Sequence, residues 1–129
     1  MSRNQPRVVA MVLCKNAVQV PNRLVYVLSG VFSTLNFPSF PATYPTMDVF
    51  IELENLFENE DIRFAINTGD NSYRCTVAKP AVYPDGRPSY VASFSNLTFA
   101  GPGEFVVSAT DSSGRLLAKR TIYVVPSVQ

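Results

Sequence analysis

Met47-Asp48-Val49-Phe50-Ile51-Glu52-Leu53-Glu54 sets Met, Val, Ile and Leu at every second position, with Asp, Phe and Glu between them. Side chains on an extended chain alternate between two faces, so this stretch predicts a strand with one face against a core. The same period recurs along the chain. Ile62, Phe64 and Ile66 alternate with Asp61, Arg63 and Asn67, and Tyr73, Cys75 and Val77 with Arg74, Thr76 and Ala78. Phe105, Val107 and Ala109 alternate with Glu104, Ser108 and Thr110. Each run has the length of a strand and is too short for a self-standing helix.

Turn residues separate these runs. Thr68-Gly69-Asp70-Asn71, Tyr83-Pro84-Asp85-Gly86, Gly101-Pro102-Gly103 and Asp111-Ser112-Ser113-Gly114 each combine Gly, Pro, Asn, Asp or Ser. Such residues preset a bend or accept backbone angles that others resist. Short strands with regular punctuation predict an all-β chain, an antiparallel β-sandwich of about seven to eight strands.

Residues 7–14 begin the series with Val8 to Leu13 apolar on both faces, which predicts a central or covered strand. A second strand is expected over residues 23–32, with Gly30 as the place for a bulge. In the closing strand, residues 115–125, the inward phase slips between Leu117 and Ile122, predicting a bulge near Lys119 and Arg120. Residues 36–46 carry Pro38, Pro41 and Pro45 among aromatics and are expected to form a loop, because proline cannot donate to a central ladder. Residues 55–60, short and acidic, suit one helical turn. No repeat, low-complexity tract or linker divides the 129 residues, so one domain over 1–129 is expected.

Composition narrows function by exclusion. With 47% hydrophobic and 16% charged residues the chain can build a core. A net charge of +1 offers no broad attraction for nucleic acid or anionic lipid, so neither is an expected partner. No apolar run approaches the roughly 20 residues of a membrane span, and the polar start lacks a secretory core, so a cytoplasmic protein is expected. In that compartment Cys14 and Cys75 read as small buried hydrophobes rather than a disulfide. By the same token the sequon at Asn96-Leu97-Thr98 is expected to be a chance match.

The chain contains no His. Its absence removes Ser-His-Asp and Cys-His nucleophilic systems and the commonest metal ligand. Two cysteines cannot build a structural zinc site, and no phosphate loop or dinucleotide fingerprint is present. No enzyme activity, no metal and no cofactor are expected. The acidic row Asp48, Glu52 and Glu54, with Glu58, Glu60 and Asp61 beyond it, leaves a carboxylate-based hydrolase, as a distant third reading, or a hard-cation site conceivable. A solvated outer face that resists edge pairing is the simpler account.

The leading expectation is a non-catalytic binding or assembly module with a protein partner, in particular its own copy, engaged through sheet edges or the Pro/aromatic loop. Basic residues near the chain ends (Arg3, Arg7, Lys15, Arg23, Arg115, Lys119, Arg120) would form a basic edge opposite the acidic middle if the end strands are neighbours, ordinary surface charge being the simpler account. Phe37, Phe40 and Tyr44 in the stiff loop are the binding candidates. The alternative is that Phe37 and Phe40 cap the core and only Tyr44 is exposed. The second functional reading is a small-ligand or carbohydrate-binding domain in which Tyr44, Tyr83, Tyr90 and the acidic strand meet a polar ligand.

Two resemblances bear on these expectations. Leu97-Thr98-Phe99-Ala100-Gly101-Pro102-Gly103-Glu104-Phe105-Val106-Val107-Ser108-Ala109, followed by Asp111 to Gly114, resembles the last hairpin of immunoglobulin-like sandwich domains. It covers about the last quarter of the chain and implies that fold. Val9-Ala10-Met11-Val12-Leu13-Cys14, Leu28-Ser29-Gly30-Val31-Phe32 and Phe37-Pro38 resemble a family of uncharacterised bacterial proteins over nearly the whole chain. That resemblance implies a cytoplasmic bacterial β-sandwich of unassigned role. Lys15 stands where that family's pattern carries an acidic residue, so it assigns no role to Cys14.

Overall fold

A computed structural model describes residues 7–20, 26–54, 61–69, 71–77 and 89–127. Its regular elements are all strands: β1 (Arg7–Gln19), β2 (Tyr26–Val31), β3 (Thr34–Phe37), β4 (Ala42–Glu54), β5 (Ile62–Asn67), β6 (Ser72–Val77), β7 (Ser89–Phe99), β8 (Gly103–Thr110) and β9 (Leu116–Pro126). They form a four-stranded sheet in the order β2-β1-β4-β7 and a five-stranded sheet in the order β3-β9-β8-β5-β6, neither closed on itself. The protein is thus all-β, with nine strands among the described residues where seven to eight were expected. No helix is long and apolar enough to cross a membrane among those residues.

The alternation read in the sequence sets the inward faces. Met47, Val49, Ile51 and Leu53 of β4 are fully buried, and Ile62, Phe64 and Ile66 of β5 face them from the other sheet. Tyr90, Ala92 and Phe94 of β7, Val107 and Ala109 of β8, and Ile122 and Val124 of β9 complete one apolar cluster drawn from both sheets. Burying a side chain of this size is worth about 1.5–3 kcal/mol, which makes this cluster the main support of the fold. β1 is central as expected, lying between β2 and β4, with Met11 and Leu13 turned into the core.

The proline-rich stretch departs from its expected form. Only residues 38–41 turn, with a cis peptide at Phe40-Pro41, while Thr34–Phe37 is β3 and β4 has begun by Ala42. Pro45 sits inside β4 because β1 pairs with that strand only as far as Cys14 opposite Asp48. Beyond that point, among the described residues, β4 has β7 on one side alone, and a strand with an open side tolerates a proline.

β3 runs parallel to β9, the exception to the expected antiparallel order. Two residues, Phe32 and Ser33, carry the chain from β2 in one sheet to β3 in the other. So short a link keeps the heading of the chain, and β3 lands alongside β9. The bulge of the closing hairpin also lies elsewhere than expected. Ala109 faces Ala118 but Thr110 faces Leu116, leaving Leu117 as the extra residue, whereas Lys119 and Arg120 pair regularly. Gly30 adopts φ +67, and a Cβ there would lie 2.9 Å from that of Lys15, so the close approach of β2 to β1 requires glycine. The helical turn expected at 55–60 and the turn at Tyr83 to Gly86 lie outside the described residues.

Side chains tie the two sheets together at their margins. The Tyr73 hydroxyl of β6 accepts from Thr98 N (3.0 Å) and donates to Asn96 O (3.4 Å) of β7, where Asn96 has φ 55. Thr68 Oγ1 donates to Thr98 O at 2.6 Å. At the other margin Arg120 Nε of β9 donates to Met11 O of β1 (3.0 Å). Thus the first and last strands adjoin across the sheets, as the charged-edge expectation required, although Arg3 and Arg23 lie outside the described residues.

Candidate functional site

Asp48 belongs to the outward row of β4, out of phase with Met47 and Val49, and would be expected in solvent. It is 8% exposed. The cause is the second half of β1, which with β2 forms an arm held against the outward face of its own sheet. Ala17 N of the arm donates to Asp48 Oδ2 at 2.8 Å, although the ladder partner of Asp48 is Cys14. The ring of Tyr26 on β2 meets Phe50, the next outward residue of β4, at 5.1 Å between centroids. From β7, Ser93 Oγ donates to Asp48 Oδ1 at 2.7 Å, so each carboxylate oxygen holds one strand of the neighbourhood.

The arm and the sheet enclose an open cleft of about 430 Å³ lined by Lys15, Asn16, Thr46, Asp48, Ser93, Phe94 and Ser95. Its lining mixes polar and apolar surface, with Asp48 the single carboxylate among the lining residues. Cys14 adjoins it, fully buried, its Sγ 3.6 Å from Asp48 O. Burial pushes the Cys14 thiol above its ordinary value, and the Asp48 charge adds to this against a smaller opposing pull from the Asn16 backbone. Such a thiol stays protonated and is a poor nucleophile.

The residues expected to bind do not gather at this cleft. Phe37 and Phe40 pack edge-to-face at 6.0 Å, and Phe37 reaches Phe99 in the core. Tyr44 meets Phe32 edge-to-face at 5.4 Å, and all three are half-buried against the apolar cluster. Tyr90 is 1% exposed, because it shares the inward phase of Ala92 and Phe94; it is a core residue and cannot meet a ligand at the surface. Tyr83 lies outside the described residues. The acidic row divides: Asp48 is engaged by Ala17 and Ser93, while Glu54 pairs with Arg7 at 3.1 Å. Among the described residues no three His, Cys, Asp or Glu side chains could together hold a metal. Cys14 and Cys75 are unlinked, the first buried and the second half-buried.

The sequence named Asp48 only as one member of a surface row and missed Asn16, Thr46, Ser93 and Ser95. Its one available signal was the exclusively polar outward phase Ser93-x-Ser95 opposite an acidic strand. The bend that covers Asp48 has no local code.

Two open sheets around one core, with a cleft on the outward face of one of them, define an all-β domain. The chain belongs to a family of unknown function (DUF6941), whose sequence model matches residues 9–125. No curated protein matches the chain.

Proposed function

We propose that the chain is an immunoglobulin-like β-sandwich serving as a non-catalytic assembly module that pairs with its own copy through β2. Support for the immunoglobulin-like reading comes from strand order. β3 crosses over to run parallel to the last strand, and β7 leaves the sheet of β5 and β6 before β8 returns to it.

The observation that carries the assembly reading is the composition of the β2 edge. Tyr26-Val27-Leu28-Ser29-Gly30-Val31 holds no charge and no proline, and among the described residues no strand lies on its other side. Val27 is 53% exposed and Val31 62%, and Val18, the ladder partner of Val27, is 50% exposed. Monomeric proteins protect such edges with charge, proline or cover. The other edges are better defended: β3 is four residues long, β6 carries Arg74, and β7 is capped by Tyr73 and Thr68. An antiparallel pair of β2 strands about a twofold axis at Ser29 sets Val27 of each copy against Val31 of the other, a self-complementary contact.

Size-exclusion chromatography with light scattering tests this. A dimer is expected, and Val27→Lys with Val31→Lys should give a monomer of unchanged melting temperature. A strict monomer at every concentration would overturn the self-pairing.

A further inference from the structure

We infer that the cleft beside Asp48 binds the head of an organic cation, a primary ammonium or a guanidinium. The inference stands apart from self-assembly, since the cleft and the β2 edge are different surfaces.

The argument begins with which hydrogen atoms the cleft has to offer. The Ser93 hydroxyl spends its proton on Asp48 Oδ1, so towards the cleft it presents lone pairs. Asp48 holds one neutral donor on each oxygen, and a carboxylate oxygen has room for a second. The floor is therefore built of acceptors and calls for a group with several N–H donors.

Charge points the same way. Asp48 is 8% exposed and, among the described residues, makes no ion pair, unlike Glu54 with Arg7 and Asp111 with Arg115. A carboxylate withdrawn from water costs free energy unless a cation compensates it. A neutral diol would satisfy the lone pairs and leave the charge unanswered. An ammonium or guanidinium answers both, and the guanidinium matches a carboxylate edge to edge. The volume, about 430 Å³, lies towards the small end of ligand sites. Thr46, Asn16 and Ser95 also line the cleft, and their hydroxyl and amide groups can accept as well as donate. Lys15, exposed on the rim, is the one cation lining the cleft, and its charge opposes an incoming cation.

NMR titration of the full chain with ethylguanidinium and with butylammonium tests the inference. Saturable shifts are expected at the amides of Ala17, Asp48, Ser93 and Ser95, and none with tetramethylammonium, which has the charge but no N–H. Asp48→Asn, which keeps an acceptor for Ala17 N, should weaken binding by about tenfold or more through loss of the charge. Should that variant fail to fold, Lys15→Met decides: removing a like charge from an exposed rim residue is expected to strengthen binding by about two- to fivefold. A capped tripeptide with a central arginine separates the sources, since much tighter binding than ethylguanidinium marks a partner's side chain and equal binding a free amine. Equal shifts with tetramethylammonium, unchanged affinity in Asp48→Asn, weaker binding in Lys15→Met, or a response to glycerol with none to ethylguanidinium would each overturn the inference.

Discussion

Ala17 N donates a 2.8 Å hydrogen bond to Asp48 Oδ2, joining the bent half of β1 to the outward face of β4 across 31 positions of sequence. One carboxylate thereby fastens the β1–β2 arm, positions Ser93 and forms the floor of the cleft.

Asp48→Ala is expected to release that arm. It leaves the Ala17 amide and the Ser93 hydroxyl without their acceptor, a loss of about 1–3 kcal/mol. Hydrogen exchange should quicken at Ala17 and along β2 while β5 and β8 keep their protection. Unchanged exchange at Ala17 would mean that the bond does not hold the arm.

Asp111 is expected to contribute to the acid limb of stability. It is 4% exposed, and its Oδ1 accepts from Ser113 N (3.0 Å), Ser113 Oγ (2.6 Å) and Arg115 N (3.0 Å), while Oδ2 pairs with Arg115 Nε at 3.2 Å. Burial alone would raise its pKa. The Ser113 hydroxyl, the two backbone donors and the Arg115 charge outweigh that and hold it below the ordinary 3.8. A carboxyl depressed in the folded state stabilises above the unfolded value, and that stability drains away as pH falls from 3.8 through the folded pKa. Asp111→Asn sets an amide donor against the Arg115 guanidinium. It should cost about 1–3 kcal/mol at neutral pH and flatten the acid limb in melts between neutrality and strong acid.

The two thiols should differ in reactivity. Cys75 is half-buried and Cys14 fully buried, so a disulfide reagent should label Cys75 in the native protein and Cys14 only after unfolding. Burial, and secondarily the Asp48 charge, lifts the Cys14 pKa above the ordinary 9.0. Tyr44 is lifted above 10.0 by burial and then by Cys14. Acids raised in the folded state contribute stability below their unfolded pKa values and lose it as pH climbs through the folded ones. The alkaline decline should therefore start near pH 9 and soften in Cys14→Ala, as followed by melting temperature.

Phe40→Ser and Tyr44→Ser should each lower stability, by about 1–3 kcal/mol given partial burial against the core. Denaturant titration at one protein concentration reads this. Full stability with lost self-association would make them binding anchors instead.

Gly30→Ala should cost about 1 kcal/mol or more, since φ +67 and the Lys15 Cβ at 2.9 Å both oppose a side chain. Thermal melting checks it; an unaltered melting temperature would place the close approach elsewhere.

The sequence made β4, β5 and β8 legible because alternation is a local property: each residue's face follows from its immediate neighbours. Met47, Val49, Ile51, Phe64, Ile66 and Val107 are buried as their phase requires. The Asp111 turn was legible for the same reason, since Ser113, Gly114 and Arg115 lie within four residues of their acceptor. The proline segment was misread as a loop because proline's cost depends on whether a neighbouring strand needs its N–H. That depends on where β1 stops pairing with β4.

By itself, then, the sequence determined an all-β chain, the residues that face its core and the lack of any histidine-based chemistry. The burial of Asp48 and the parallel landing of β3 were decided only by tertiary structure. Each depends on segments some 30 or more positions apart being brought together, Ala17 with Asp48, Asp48 with Ser93, Thr34 with Tyr123. Pairings of that range follow from how the sheets assemble, and no residue's own neighbours encode them.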